Sequence, residues 1–265
     1  MSTTRKLWLG LAALLVASFA VLLWVGKEVH QQAPPLPTAV VTADGQTLYT
    51  KGDMEEGRQV WQSIGGQQLG SIWGHGALLA PDWSADWLHR ESMAMLELLS
   101  RDAGLGPYDT LTAQQQAPLK ARVQEELRTN TWDAASNTIT GSALRARAME
   151  AVAAHYMSLL GNDPATHKLR EGYAMRENTV AEMEHRREVT AFFWWTSWAA
   201  ATQRPNEPMS YTQNWPYEPL AGNTPTSTSF LWSVFSILFM IFGIGLLGWH
   251  HARQVSHEPL PVVPA

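Results

Sequence analysis

Two long apolar runs bracket the chain. Residues 7–26, LWLGLAALLVASFAVLLWVG, contain no charge over twenty positions, and residues 229–249, SFLWSVFSILFMIFGIGLLGW, none over twenty-one. Each is long enough to cross a bilayer as a helix. Trp8, Trp24, Trp232 and Trp249 stand near the ends of the runs, where interfacial aromatics belong. A cleaved signal peptide is the alternative for the first run, although it exceeds the usual apolar core and no clear A-x-A site follows it. Gly243 and Gly245 thin one end of the second run, either as a seat for a neighbouring membrane helix or as glycines tolerated on a lipid-facing surface.

Between the runs the pattern shortens and alternates. Residues 31–37, QQAPPLP, form an extended, stiff spacer. Apolar and β-branched residues on both sides of Asp44-Gly45 predict a β-hairpin over residues 40–50. A short helix is predicted over 53–64 with Asp53 as its cap, then a glycine- and tryptophan-rich loop. Amphipathic helices follow over 85–103, ended by Gly104, and over 118–128, with Pro118 in the first turn. Residues 129–140 read as an irregular loop or small hairpin. Ser142 caps a helix running to Leu160, and a last helix covers 179–202, its aromatics crowding more than one face. Residues 206–228, with four prolines, read as a linker. The expected organisation is an N-terminal membrane anchor over 1–27, a domain over 28–228, a second transmembrane helix over 229–249 and a tail over 250–265. The fold class is mainly α, with one small hairpin.

Charge and composition narrow the functions. The net charge is −5, and residues 28–228 hold fifteen Lys and Arg against twenty-three Asp and Glu, so nucleic acid is not an expected partner. There is no cysteine, which removes disulfides, zinc–thiolate sites and thioether-bound haem. Arg5 and Lys6 precede the first run, and His250, His251 and Arg253 follow the second. The positive-inside rule then places both termini in the cytoplasm and the domain on the opposite side, the periplasm of a Gram-negative cell.

Chemistry-bearing residues are sparse. Glu182-x-x-His185 has the spacing of carboxylate-bridged di-metal bundles, but such sites need two copies and two further glutamates; a charged helix face is the plainer reading. His75 and His89 fall in the dense stretch, one in a loop and one on a helix, with no third ligand. No Ser/His/Asp elbow, phosphate-binding loop or dinucleotide fingerprint occurs. No catalytic residue and no metal ligand set is expected from this chain.

The densest stretch is WQSIGGQQLGSIWGHGALLAPDWSADWLHRE, residues 61–91. With AFFWWTSWAAAT (191–202) and YTQNWPYEPLAGNTPT (211–226), it resembles the N-terminal region of the quinol-dependent nitric oxide reductases of the haem–copper oxidase superfamily. The resemblance spans the chain in the right order. It implies a cytochrome c-like domain between two transmembrane helices, in which the haem-attachment pattern C-x-x-C-H is replaced by Ser63-Ile64-Gly65-Gly66-Gln67. Ser63, Gly66 and Gln67 would be vestigial attachment positions, with Gln67 and tryptophans filling part of the former haem pocket. The last helix would pack across the helix at 53–64.

The resemblance also implies what lies elsewhere. In the family, haem b and non-haem iron belong to a catalytic bundle of further helices, and this sequence ends where full-length enzymes would continue. The chain itself is expected to hold no cofactor. Its expected partners are the haem-bearing catalytic membrane subunit or continuation, the lipid bilayer and, indirectly, quinol, in a bacterial inner membrane. Trp73, His75, Trp83, Trp87, Gly243 and Gly245 are the expected interface with the catalytic bundle. The role is then structural within an enzyme that reduces two NO to N2O and water, the chain not being catalytic alone. The alternative is a non-enzymatic, membrane-anchored periplasmic domain that binds a partner or persists as a truncated remnant.

Overall fold

The computed structural model describes residues 3–255. They form two compact units, divided after Thr224. Residues 256–265 of the expected tail lie outside the described residues.

The first unit begins with α1 (Thr3–Gln31), whose span is as apolar and uncharged as expected. The hairpin follows as β1 (Ala39–Thr42) and β2 (Thr47–Thr50), antiparallel. Then come α2 (Lys51–Ser63), the short antiparallel pair β3 (Ser71–Ile72) and β4 (His75–Gly76), and α3 (Trp83–Asp102). The elements α4 (Ala113–Arg128), β5 (Trp132–Asp133), β6 (Thr138–Gly141), α5 (Ala143–Leu159), α6 (His167–Gly172) and α7 (Met183–Ala201) complete the unit. The second unit is built on α8 (Ser227–Val255), which contains the second apolar span. The molecule is mainly helical, with two membrane-length helices flanking an α-rich domain.

Several boundaries differ from the sequence reading. The cap of α2 is Thr50, not Asp53: the Thr50 hydroxyl accepts from Asp53 N while the Asp53 carboxylate accepts from Thr50 N at 2.7 Å, a reciprocal capping box. Helix α3 starts two residues early because the Asp82 carboxylate accepts from Ser84 N and Ala85 N. Helix α4 starts five residues before Pro118, which therefore sits inside it. Proline there removes one helical hydrogen bond, at a position where Gln114 and Pro118 are both exposed. Ser142 does cap α5, accepting from Arg145 N at 3.1 Å. Helix α7 begins only at Met183.

Two features were not foreseen. The hairpin extends into a four-stranded sheet of order β2-β1-β6-β5, with β1 and β6 parallel and Val40 opposite Ile139. Residues 206–224 are not a loose linker. Ser210, Asn214, Glu218, Ala221 and Asn223 are buried. Arg128 donates to the carbonyls of Ala201 and Pro208 and to the Asn214 side chain, and Asn223 donates to the carbonyls of Ala200 and Pro216. This strap is laced to the end of α7.

The core is organised where α2 crosses α7. A Cβ on Gly57 would stand 1.9 Å from the Glu188 carbonyl oxygen, so the two backbones meet with only a hydrogen between them. From Val189 to Ala201, α7 is buried on nearly every side, as its crowded aromatics predicted. α3 and α5 pack on its other flanks. Gly57→Ala should therefore cost the domain about 1–3 kcal/mol by overpacking, read as a lowered midpoint in thermal unfolding of the detergent-solubilised chain. Gly172→Ala, where a Cβ meets nothing within 4 Å, should stay within about 0.5 kcal/mol.

Candidate functional site

The glycine- and tryptophan-rich stretch folds against the α2–α7 crossing. Trp61, on the last turn of α2, sets its ring edge-on to Trp83 (5.6 Å between centroids) and to Phe193 (5.1 Å). Trp83 stacks on Phe193 at 5.3 Å with the planes 1° apart. Tyr156 meets Phe193 edge-on and stacks on Trp87 at 5.2 Å. Edge-to-face and offset-stacked rings at these separations are the favoured aromatic contacts. Trp61, Trp83, Trp87, Tyr156 and Phe193 are all essentially inaccessible to solvent.

The loop is shaped around these rings. A Cβ on Gly66 would lie 2.1 Å from the Trp61 ring, and one on Gly70 would lie 2.4 Å from the Pro81 carbonyl. These glycines admit neighbours rather than a ligand. Gly65, at φ +69°, turns the chain out of α2.

Polar groups border the aromatic stack, and the sequence did not disclose them. Glu91, fully buried, accepts from Trp87 Nε1 at 3.0 Å and from Arg145 Nε at 2.9 Å. Asp86 accepts from Tyr156 Oη at 2.6 Å and from Arg90 Nε at 2.7 Å. Burial, reinforced by the Asp86 charge, pushes the Tyr156 phenol well above its ordinary range, so it stays a donor. Removing Arg145 would strand a buried carboxylate, a change that costs several kcal/mol. The indole N–H groups of Trp61 and Trp83 are buried without an acceptor, so the filled interior is not free of polar cost.

The three positions that the resemblance aligns with the attachment pattern differ in their surroundings. Ser63 ends α2, exposed, its hydroxyl donating to the Val60 carbonyl. Gly66 is buried beneath Trp61, and Gln67 is exposed. Gln67 therefore does not fill the interior, which corrects that expectation; the tryptophans with Phe193 and Tyr156 do. Without thiols or an axial imidazole, and with aromatic rings packed beside the loop, the residues present do not fit a covalent haem.

The expected interface residues separate into groups. Trp83 and Trp87 are wholly inside the domain and have no surface to offer a partner, which corrects their assignment. Trp73 is half-buried: its indole donates to the Thr196 carbonyl at 2.8 Å and its ring lies 5.6 Å from that of Trp195. His75 is exposed, donating to the Trp73 carbonyl. His89 instead pairs with Glu218 of the strap at 3.1 Å. On α8, a Cβ at Gly243 or Gly245 would meet nothing within 4 Å. His185 lies 3.6 Å from Glu182 and 4.0 Å from Glu188. Among the described residues no group of three or more His, Cys, Asp or Glu could hold a metal ion.

Residues 37–217, well over half of the chain, match the family model of the cytochrome c-like domain of NorB, a nitric oxide reductase subunit. The chain belongs to this nitric oxide reductase family. The match covers the sheet, the aromatic stack and most of the strap, and stops before α8. A search of curated proteins finds no match. Family membership relates the chain to a membrane complex with other subunits, and α1 and α8 accord with an integral membrane protein.

Restoring the attachment pattern tests the closed interior. The triple variant Ser63→Cys/Gly66→Cys/Gln67→His, produced with a haem-attachment system, should carry no covalent haem when folded, because any side chain at position 66 would collide with the Trp61 ring. Absence of a haem band in alkaline pyridine is the expected result. A folded variant with stoichiometric haem would show that the interior opens.

Proposed function

We propose that the chain is the haem-free, membrane-anchored cytochrome c-like part of a quinol-dependent nitric oxide reductase of a bacterial inner membrane. Both termini lie in the cytoplasm and the domain in the periplasm. The observation that carries this reading is the aromatic stack of Trp61, Trp83 and Phe193 within a domain of this family. A cytochrome subunit relays electrons from an outside donor through its own haem. An interior closed by Trp61, Trp83 and Phe193 cannot do so, and quinol, which delivers electrons within the membrane, makes the relay unnecessary.

Haem b and non-haem iron, which the family implies for the complete enzyme, supply the reduction of NO; among the described residues no set fits them. What this chain's residues do is hold a rigid body at the membrane surface. The capping box of α2, the Gly57 crossing and the buried Glu91–Arg145 pair fix the domain, while Arg204, just before the strap, donates from Nη1 to Gln32 Oε1 at 2.7 Å, beyond the end of the first span, and from Nε to the Ser210 carbonyl of the strap.

The test uses the assembly from host membranes solubilised in mild detergent. Preparations containing this chain together with the haem-bearing part should consume NO when given a quinol, and the chain alone should consume none. Turnover driven by reduced cytochrome c, with quinol inert, would contradict the reading.

A further inference from the structure

The aromatic stack does not end inside the domain. Trp83 meets four rings: Trp61 (5.6 Å between centroids), Phe193 (5.3 Å), Tyr156 (6.1 Å) and Tyr173 (5.9 Å). The first three are buried, whereas Tyr173, just after α6, is half-buried. Tyr156 in turn stacks on Trp87 at 5.2 Å, with the planes 2° apart. An unbroken run of oxidisable rings, Tyr173–Trp83–Tyr156–Trp87, therefore leads from the surface to the centre.

The polar hydrogens of the stack fall into two kinds. The indole N–H groups of Trp61 and Trp83 have no acceptor. The Tyr156 hydroxyl donates to Asp86 at 2.6 Å and the Trp87 indole to Glu91 at 3.0 Å. These carboxylates are withdrawn from water, with 14% and 0% of their side chains exposed, a costly way to satisfy two donors. A phenol or indole that loses an electron becomes a strong acid. With a base at hand it gives up its proton and the radical comes to rest there. Without one it keeps the proton and takes an electron from the next ring. We propose that Tyr173 and Trp83 relay a one-electron oxidation inward to Tyr156, with Asp86 as the proton acceptor.

The oxidant is nitrogen dioxide, the radical formed where nitric oxide meets oxygen, a choice that rests on the function proposed above. It takes one electron from Tyr173 and leaves as nitrite, while the Tyr173 proton goes to water. Trp83 then reduces Tyr173, which takes a proton back, and Tyr156 reduces Trp83. The Tyr156 proton crosses its hydrogen bond to the Asp86 carboxylate. The net change is nitrogen dioxide to nitrite, and Tyr156 with Asp86 to a neutral phenoxyl radical beside a carboxylic acid. Burial keeps the phenol protonated beforehand, so electron and proton leave it together. This path does not replace a haem. Tyrosine and tryptophan yield an electron only to oxidants far stronger than a cytochrome, so nothing passes along it from a cytochrome donor.

The chain has no cysteine, so Gly172→Cys can carry a single ruthenium tris-bipyridine photo-oxidant next to Tyr173. Gly172 is exposed and a Cβ there meets nothing within 4 Å. The full chain in mild detergent also carries a ring-fluorinated tyrosine at position 156 alone, whose fluorine splits the electron paramagnetic resonance signal of a radical on that ring. A flash, with a cobalt pentammine salt as electron acceptor, should give the fluorine-split signal. Trp83→Phe and Asp86→Asn, in chains that melt as the parent does, should each lose most of it. An unsplit tyrosyl signal, or none, in the parent chain would overturn the relay even if neither variant folds. An undiminished split signal in Trp83→Phe would overturn passage through Trp83, and one in Asp86→Asn the role of Asp86. None of these results depends on the reductase reading. The fluorinated chain without ruthenium, mixed with nitric oxide and oxygen, should show the split signal too. Its absence there, with the flash signal intact, would overturn the assigned oxidant and leave the relay standing.

Discussion

The structure depends on one close approach. At Gly57, helix α2 meets the Glu188 carbonyl of α7 with no side chain between them. That contact sets the angle at which Trp61 leaves α2 and Phe193 leaves α7, and the two rings meet at 5.1 Å. Trp83, at the start of α3, then stacks on Phe193, which fixes where α3 runs. The Gly66 backbone slides beneath Trp61 because it has no Cβ to prevent it. A longer residue at Gly57 would separate the helices and open the interior that these rings close.

Around this aromatic centre the buried carboxylates are paired, whereas the indole N–H groups of Trp61 and Trp83 have no acceptor. Glu91 and Arg145 tie α3 to α5, and Asp86 joins α3 to α5 again through Tyr156. Such pairs add little stability against an apolar replacement, yet each is costly to break from one side, so they fix which arrangement of the helices is allowed. The strap is held in a different way. Tyr211 and Ala221 pack on the core, and Arg128 and Asn223 satisfy backbone carbonyls at the end of α7, with Asn214 accepting from Arg128.

How far the sequence disclosed this follows from which signals are local. The two spans, the hairpin at Asp44-Gly45 and the Ser142 cap were legible because each is written within a few neighbouring residues. The pairing of β1 with β6 was not, since Val40 and Ile139 are far apart in sequence and neither segment announces a parallel partner. The strap read as a linker because proline and asparagine are common in both; its order comes from side chains reaching distant carbonyls. Trp83 and Trp87 were misassigned to a surface because tryptophan marks interfaces and cores alike, and only packing separates the two. Gln67 was expected to fill the interior, but it is exposed, and it is Gly66 that lies against the Trp61 ring.

The central claim is that this interior is completed by its own side chains. It is tested most directly by thermal unfolding of the full chain purified from cells grown with haem synthesis blocked and from cells supplied with haem. The account predicts the same unfolding midpoint from both and no Soret absorbance in either. A midpoint that rises with haem supply, accompanied by stoichiometric haem in the purified chain, would contradict it.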